Sequence, residues 1–383
     1  MAMGVLTQSW LILELTDTGS GGSPFWVGAG AGVMGATTLM IAPVGGWLAD
    51  RFDRRLILVL LDFLTLLTSV ALFMLIAFDL VEMWHVGVLA ISRGIAMAWG
   101  MPARNALTFD LVGRDVLLNA TAANFTTQGL SRIIGPALMG IIIGRAGIEW
   151  CYLFMAITSL LSILCLLNIS ASNQDKIVQN RILSDIKEAL NIAMKPGLVR
   201  SLLLMSPIIE IFGFSYQVML PVMAREVLQV GPEGLGILGS SAGLGSLAGA
   251  VLVASFGNYR KKGMLLIVST GGFGLFLALF AVSEILYISA VFICLAGAMA
   301  TIYDVNMSTL LQSLSPDRTR GRIMGLLVLT YGISPLGGFQ AGIIASMVSA
   351  PFAIFIGGSM LVLNSFRCRT LMKRIIEYET DSK

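Results

Sequence analysis

The sequence predicts an all-α membrane protein, with twelve transmembrane helices in two pseudo-symmetric six-helix bundles. Composition is the first reason: 56% of the residues are hydrophobic, only 12% are charged and the mean hydropathy is +0.85. A soluble domain normally carries about 25% charged residues. The spacing of the apolar residues is the second reason, because long apolar runs alternate with short polar clusters, as in polytopic membrane proteins.

The number of predicted helices follows from their lengths. A helix needs about 20 apolar residues to cross a hydrocarbon core of about 30 Å. Eleven segments meet this requirement, at 24–49, 56–77, 85–101, 119–144, 150–168, 201–222, 234–256, 263–282, 286–309, 323–346 and 351–366. The first span, Met1 to Leu15, reaches only about 22 Å at 1.5 Å per residue. We therefore expect a first helix that is truncated at its start, through a misassigned start or a truncated sequence.

Basic residues predict the orientation of the spans. All but four of the 25 lysines and arginines fall in alternate loops and the tail, and the exceptions are Arg93, Arg132, Arg145 and Arg225. Because cytoplasmic loops are enriched in basic residues, we expect both termini to be cytoplasmic. This predicts a first bundle over 1–169, a cytoplasmic linker over 170–200 with a short surface helix from Asp185 to Met194, and a second bundle with a tail over 201–383.

Landmarks in the first bundle recur in the second, which is typical of transporters built from repeats. The second span runs into the charged stretch Gly46–Arg55, and the eighth span runs into a basic copy at 256–262. The fifth span carries Gly135, Pro136 and Gly140, and the eleventh span carries a similar group around Pro335. Glycines also concentrate in the second and eighth spans. The sequence therefore predicts an internal pseudo-symmetry.

The stretch Gly46–Arg55 resembles the cytoplasmic motif of major facilitator transporters, which is a glycine, three residues and then Asp-Arg-x-Gly-Arg-Arg. Asp53 stands where the glycine is usual, a variant common in the branch that contains the enterobactin exporter and macrolide-efflux proteins. The stretches Pro102–Leu107, expected after the fourth span, and Ser131–Gly140 in the fifth resemble the same branch. The resemblance covers essentially the whole chain apart from the missing start.

This resemblance implies a role for the motif in gating. It implies that Asp50 caps the amino end of the eleventh helix, pairs with a nearby arginine and latches the outward-facing state. The alternative is anchoring to anionic lipid, which explains basic residues but not acidic ones. The predicted gating residues are Gly46, Asp50, Arg51, Asp53, Arg54 and Arg55.

The resemblance also implies that spans 2 and 11, and spans 5 and 8, form seams between the bundles. Small residues let backbones approach closely, and prolines free a carbonyl and loosen a helix. Both features suit seams that slide, although static packing is the alternative for any one glycine. The predicted seam residues are Gly135, Pro136, Gly140, Pro335, Gly337 and Gly338.

Charged residues inside spans are costly and indicate functional sites. The resemblance implies that spans 1, 4, 7 and 10 line a central cavity, which would place Arg93 and Glu210 near its middle. Glu210 is the leading proton carrier, since burial favours the uncharged form of a carboxyl group. A permanent ion pair between Arg93 and Glu210 is the alternative. The other predicted pathway residues are Asp304, Tyr303, Asn306, Tyr216, Gln217 and Gln8.

Two further charged residues in spans have structural interpretations. Arg132 is expected to support the Gly135–Pro136 break rather than to contact a substrate. Asp62 is expected to reach the membrane surface from the third span.

These features predict a secondary transporter in a bacterial inner membrane, and not an enzyme. One histidine and four scattered cysteines leave no basis for a metal cluster or a nucleophile-and-base group. We expect efflux of a small lipophilic or siderophore-like molecule, protons as the coupling ion, a monomer in the lipid bilayer, and neither a cofactor nor a nucleic-acid partner. The alternatives are a nutrient importer of the same fold, and a non-transporting receptor or inactive remnant.

Overall fold

The computed structural model describes residues 2–17, 22–112, 116–169, 197–255, 262–315 and 317–367. Within these ranges every regular element is a helix. The fourteen helices are α1 (Ala2–Leu15), α2 (Pro24–Arg51), α3 (Arg54–Ala77), α4 (Met83–Val112), α5 (Leu117–Ala146), α6 (Ile148–Leu167), α7 (Leu198–Phe212), α8 (Tyr216–Val222), α9 (Pro232–Ser255), α10 (Lys262–Ala281), α11 (Leu286–Leu314), α12 (Asp317–Tyr331), α13 (Ser334–Met347) and α14 (Ala350–Arg367).

The lengths of these helices confirm the predicted fold class. Among the described residues, eleven helical segments are long and apolar enough to cross a membrane, and a shorter apolar helix spans Met3–Leu15. Large apolar side chains such as Leu60, Val251 and Leu363 are exposed on the surface of the bundle. Such a surface suits a hydrocarbon solvent rather than water. The chain is therefore an all-helical membrane protein.

One predicted boundary is wrong. The apolar run predicts a fourth span over 85–101, with Pro102–Leu107 after it. The structure instead places Pro102 inside α4, which continues to Val112. Arg54 of α3 stabilises this extension, because its Nη1 donates to the Asp110 carboxylate at 2.6 Å and lies 3.4 Å from the carbonyl oxygen of Ala106.

Two predicted spans are each divided in two. The seventh span breaks between α7 and α8, where Gly213 packs so closely that a Cβ atom there would lie 2.6 Å from the ring of Phe273. A π-helical turn, Met223–Val227, continues α8. The eleventh span breaks between α12 and α13 at residues 332–333, immediately before Pro335 in the first turn of α13. Pro136, by contrast, lies within the continuous helix α5.

Close backbone contacts join the helices of the first and second halves of the chain. At Gly28 of α2, a Cβ atom would lie 2.8 Å from Cα of Gly342 in α13. At Gly140 of α5, it would lie 2.6 Å from the carbonyl oxygen of Pro232 and 3.0 Å from Cα of Gly236 in α9. Small residues at these positions allow contacts that any side chain would block.

The predicted linker lies mostly outside the described residues, as does the surface helix expected from Asp185 to Met194. Its last residues, from Leu198 onward, already belong to α7. The bundle has two ends because consecutive spans run in opposite directions. We call them the Asp17 end, where α1 ends and α2 begins, and the Asp53 end, where α2 ends and α3 begins.

Candidate transport pathway

Arg93 ties α4 to α1 and α6 in the first half of the chain. Its Nη1 donates to the backbone carbonyl of Gly4 and to Oε1 of Gln8 at 2.8 Å, and its Nη2 lies 3.8 Å from Sδ of Met155. The phenol of Tyr152 lies within electrostatic reach of the guanidinium. Gln8 itself is buried. The structure thus brings together two of the predicted pathway residues, Arg93 and Gln8.

A second polar cluster lies in the other half of the chain, around Glu210 of α7. Glu210 is 2% exposed, and its Oε1 has no hydrogen-bond partner among the described residues. Asp304 of α11 acts on its carboxyl group electrostatically, and the Ser334 hydroxyl neighbours it. Tyr303 is 1% exposed, and its hydroxyl group also lacks a partner within the described ranges. These side chains form a buried site with unsatisfied oxygen atoms.

Arg93 and Glu210 do not form an ion pair, so this alternative interpretation of the two residues is wrong. The ion pairs found among the described side chains join Arg54 to Asp110, Arg145 to Glu233 and Arg225 to Asp17. The Arg93 guanidinium is instead held by the carbonyl of Gly4 and by Gln8. The two residues therefore belong to separate clusters.

The remaining predicted pathway residues have other surroundings than the cluster around Glu210. Asn306 is buried, but its Nδ2 donates to the carbonyl of Ile302 on its own helix at 2.7 Å. Tyr216 is buried, and its ring packs edge-on against Phe273 with centroids 6.2 Å apart. Gln217 is exposed. These three residues do not join the cluster around Glu210.

Sequence reasoning missed the hydroxyl groups that accompany Glu210. Ser206 lies one helical turn before it on α7, and its Oγ is 2.7 Å from Oγ1 of Thr330 on α12. The spacing of four residues places Ser206 and Glu210 on one helix face, and this spacing could have identified Ser206 from the sequence. Thr330 and Ser334 flank the break between α12 and α13, and sequence spacing alone does not reveal their approach to α7.

Arg132 of α5 lies near groups of the second half of the chain. Its backbone carbonyl faces α9, where it blocks any Cβ atom at Gly243. Its exposed side chain acts electrostatically on Asp304 of α11 and Tyr216 of α8. The guanidinium of Arg132 therefore faces charged and polar groups of the second half of the chain, beyond any local role at the Gly135–Pro136 stretch.

An ion pair joins the two halves at the Asp17 end. Arg225, in the π-helical turn after α8, pairs with Asp17, which follows α1. The guanidinium also lies 5.9 Å from the ring centroid of Trp10, whose Nε1 donates to Glu14 at 2.7 Å. A second and more exposed pair, Arg145–Glu233, has a separation of 3.9 Å.

The predicted gating motif is partly described. Asp53 caps α3, because its carboxylate accepts a hydrogen bond from the backbone N–H of Arg55 at 2.9 Å. The side chain of Arg55 donates to the carbonyl of Leu167 at the end of α6, at 2.6 Å. Arg51 is exposed. The side-chain environments of Gly46 and Asp50 lie outside the described part, so the latch stays a prediction.

The predicted seam residues fall into two groups. Four of them face helices of the other half: Pro136 and Gly140 meet α9, whereas Pro335 and Gly338 meet α2. The other two face different helices. Gly135 meets Met3 of α1, and Gly337 packs against the backbone of Ile211 in α7.

An all-helical bundle with buried, unpartnered polar groups between its spans is typical of membrane transporters. A family model described as transmembrane secretion effector matches residues 6–382. The chain belongs to this family, within the major facilitator superfamily.

Curated relatives agree with this assignment. The chain is 26% identical to the enterobactin exporter EntS of Citrobacter koseri over 357 residues, which covers 89% of this chain and 83% of that protein. It is also 26% identical to EntS of Shigella boydii serotype 4 over 375 residues, with 94% and 84% covered.

Solved structures share the fold at low sequence identity. The inward-open xylose transporter XylE from E. coli has a TM-score of 0.72 at 16% identity, with 98% of this chain and 92% of that chain covered. The nucleoside transporter NupG has a TM-score of 0.68 at 15% identity, with 98% of each chain covered.

Proposed function

We propose that this transporter exports a small lipophilic or siderophore-like molecule by proton-driven alternating access. In this proposal it acts as a monomer in a bacterial inner membrane, with both termini in the cytoplasm. Residues 1–169 and 201–383 form the two moving halves, joined by the cytoplasmic linker 170–200. Protons move inward while the substrate moves outward.

The buried carboxyl group of Glu210 carries this proposal. A carboxylate with an unpaired oxygen atom in a low-dielectric interior is costly, so the group favours a bound proton whenever the site is closed to water. Opening the site to water lowers that cost and lets the proton leave. Asp304 strengthens the effect, since two neighbouring carboxylates repel each other when both are charged. Glu210 can therefore exchange a proton as its exposure to water changes.

The contacts between the two halves support alternating access. At the Asp17 end, Gly28 of α2 meets Gly342 of α13, and the ion pair Arg225–Asp17 joins the two halves. Few side chains interlock at the glycine contacts, so the halves can separate there without large repacking. We take the described arrangement as the state that is closed at the Asp17 end.

For the direction of transport and the type of substrate, the proposal draws on the relatives. Two curated relatives at 26% identity are enterobactin exporters, so we extend export of a siderophore-like molecule to this chain.

The test uses everted membrane vesicles that are energised to make their lumen acidic. Enterobactin, as the probe, should accumulate in the lumen and release protons from it, as followed with a pH-gradient dye. Glu210→Gln should abolish proton release and accumulation but retain exchange of labelled for unlabelled probe, because an amide cannot carry the proton. Full proton coupling in Glu210→Gln, in vesicles with normal amounts of protein, would remove Glu210 from the mechanism.

Glu233→Gln is the matched control. Its carboxylate is 60% exposed and pairs with Arg145 at the surface of the Asp17 end. Glu233 is neither buried nor part of the cluster around Glu210, so proton release by Glu233→Gln should equal that of the unchanged protein.

A further inference from the structure

We propose that the buried cluster around Glu210 also binds a sodium ion, which competes there with the proton. The cluster, here called the Glu210 site, consists of six oxygen-bearing residues: Ser206, Glu210, Tyr303, Asp304, Thr330 and Ser334. The inference rests on the proposed function, because it adds a second ion to the site that the proposal assigns to coupling.

The oxygen-bearing residues of the site lie on three neighbouring spans. Ser206 and Glu210 lie on one face of α7, and the Ser206 hydroxyl meets that of Thr330 at 2.7 Å. Ser334 lies beside the Glu210 carboxyl, and Tyr303 of α11 lies beside Ser206. Two carboxylates and several hydroxyls are the ligand types that hard cations prefer, whereas softer metals prefer nitrogen or sulfur.

Three oxygen atoms of the site are available for a ligand. Oε1 of Glu210, the hydroxyl of Tyr303 and Oδ1 of Asp304 are buried and have no hydrogen-bond partner among the described residues. Buried polar atoms are normally paired, so unpaired atoms on residues that act on one another electrostatically indicate that something else completes their coordination. This observation is independent of the acidity of the cluster.

The backbone around the site has a form that suits ion binding. The span that contributes Thr330 and Ser334 is interrupted between α12 and α13. The span that contributes Glu210 is interrupted shortly after it, between α7 and α8. Interrupted membrane helices at a buried site recur in transporters that bind sodium ions or protons.

Charge balance favours a monovalent cation. The charged or titratable groups that face Glu210 are Asp304, Tyr303 and Tyr331. Arg132 of α5 is the cation whose field acts on Asp304. With both carboxyl groups ionised and Arg132 charged, one negative charge is left over. A sodium ion or a proton neutralises it, whereas a divalent ion would leave an excess positive charge in a low-dielectric interior.

Thermal unfolding of the purified full-length protein in detergent tests the inference without a transport substrate. Sodium chloride is compared with potassium chloride and choline chloride at equal ionic strength. We expect sodium to raise the Tm by about 2 °C or more, because a ligand that binds only the folded state stabilises it. Glu210→Gln and Asp304→Asn should lose this rise. Acidic buffer should weaken it as well, since protons then occupy the carboxyl groups.

Asp62→Asn is the matched control, because Asp62 is a carboxylate within another span that accepts a hydrogen bond from Ser162 at 2.6 Å. It should keep the full sodium effect. Equal Tm values in all three salts, or an undiminished sodium effect in Glu210→Gln, would overturn the inference. If Glu210→Gln fails to fold, Glu210→Asp should still bind radioactive sodium with lower affinity, and unchanged affinity in that variant would also overturn it.

The sodium and proton proposals can fail separately. No sodium effect on Tm, together with loss of proton release in Glu210→Gln vesicles, would refute only the sodium site. A sodium effect that depends on Glu210, together with intact proton release in Glu210→Gln vesicles, would refute only the proton role.

Discussion

Replacing Arg225 by methionine should loosen the closure of the bundle at the Asp17 end. The guanidinium pairs with Asp17 across the two halves of the chain and lies over the ring of Trp10. Methionine keeps much of the apolar length of the side chain but removes its charge. The variant therefore loses the ion pair and the cation–π contact while it retains packing against Trp10.

The size of the effect follows from the burial of the pair. The side chains of Arg225 and Asp17 are 24% and 28% exposed, so the pair lies between an exposed one, worth about 0–1 kcal/mol, and a buried one, whose disruption costs about 3–5 kcal/mol. An intermediate value together with the cation–π contact of about 0.5–1 kcal/mol gives about 2 kcal/mol. Since 1.4 kcal/mol corresponds to a tenfold change, the ratio of closed to open states should fall about 30-fold.

Pulsed electron spin resonance can measure this ratio. Spin labels at Leu80 and Val282, two exposed residues at the Asp17 end in opposite halves, report the separation of the halves in a background without other cysteines. Arg225→Met should add a population with a longer distance. Arg145→Met is the matched control: its ion pair with Glu233 also joins the halves, but the side chains are 78% and 60% exposed, so screening leaves at most about 1 kcal/mol.

Two results would refute this reasoning. The first is a distance distribution in Arg225→Met that equals that of the unchanged protein. The second is an equal change in Arg225→Met and Arg145→Met, because burial would then not determine the strength of the link. Asp17→Asn should have a smaller effect than Arg225→Met, because it removes the ion pair but keeps the cation–π contact with Trp10, and the double variant should match Arg225→Met.

Three further predictions concern packing, the Arg93 cluster and the gating motif. Gly140→Ala should lower the free energy of unfolding by about 1–3 kcal/mol, because its Cβ would lie 2.6 Å from the carbonyl oxygen of Pro232. Gly87→Ala is the control and should unfold like the unchanged protein, because Gly87 has open space around it. Equal unfolding temperatures of the two variants would contradict the seam contact. Arg93→Gln should lower the free energy of unfolding by about 1–3 kcal/mol, because it leaves a buried acceptor without its donor, and Arg93→Lys should lower it less. Thermal unfolding compares the two variants. An Arg93→Gln variant as stable as the unchanged protein would show that the contacts with Gly4 and Gln8 are weak. Asp50→Asn should reduce probe accumulation in vesicles far more than Asp53→Asn, since asparagine can still cap α3; equal, negligible effects would refute the latch.

The spans could be predicted because lipid imposes a simple requirement on length and polarity. The same requirement does not reveal where a helix is interrupted within a span. Residues 213–215 and 332–333 interrupt two spans, yet the windows around them stay apolar, so hydropathy runs across both. Hydropathy also ends the fourth span at residue 101, whereas α4 continues through Pro102 to Val112, where Arg54 pairs with Asp110.

Candidate site residues could be predicted one by one but not in their groups. Charge within a span singled out Arg93, Glu210 and Asp304, since such residues are rare there. Their partners depend on which helices pack together. The hydrogen bond from Arg93 to Gln8 joins residues 85 apart in the chain. The contact between Ser206 and Thr330 spans 124 residues, and serine and threonine are too common in spans to be singled out by type.

The measurement that tests alternating access most directly follows both ends of one molecule. One label pair, Leu80 and Val282, reports on the Asp17 end. A second pair reports on the Asp53 end: Val116, which directly precedes α5, and Ser255, the last residue of α9, are both exposed. In lipid discs, with and without the enterobactin probe and at acidic and alkaline pH, the two distances should change in opposite directions. Distances that lengthen together, or that never change under any of these conditions, would contradict the account.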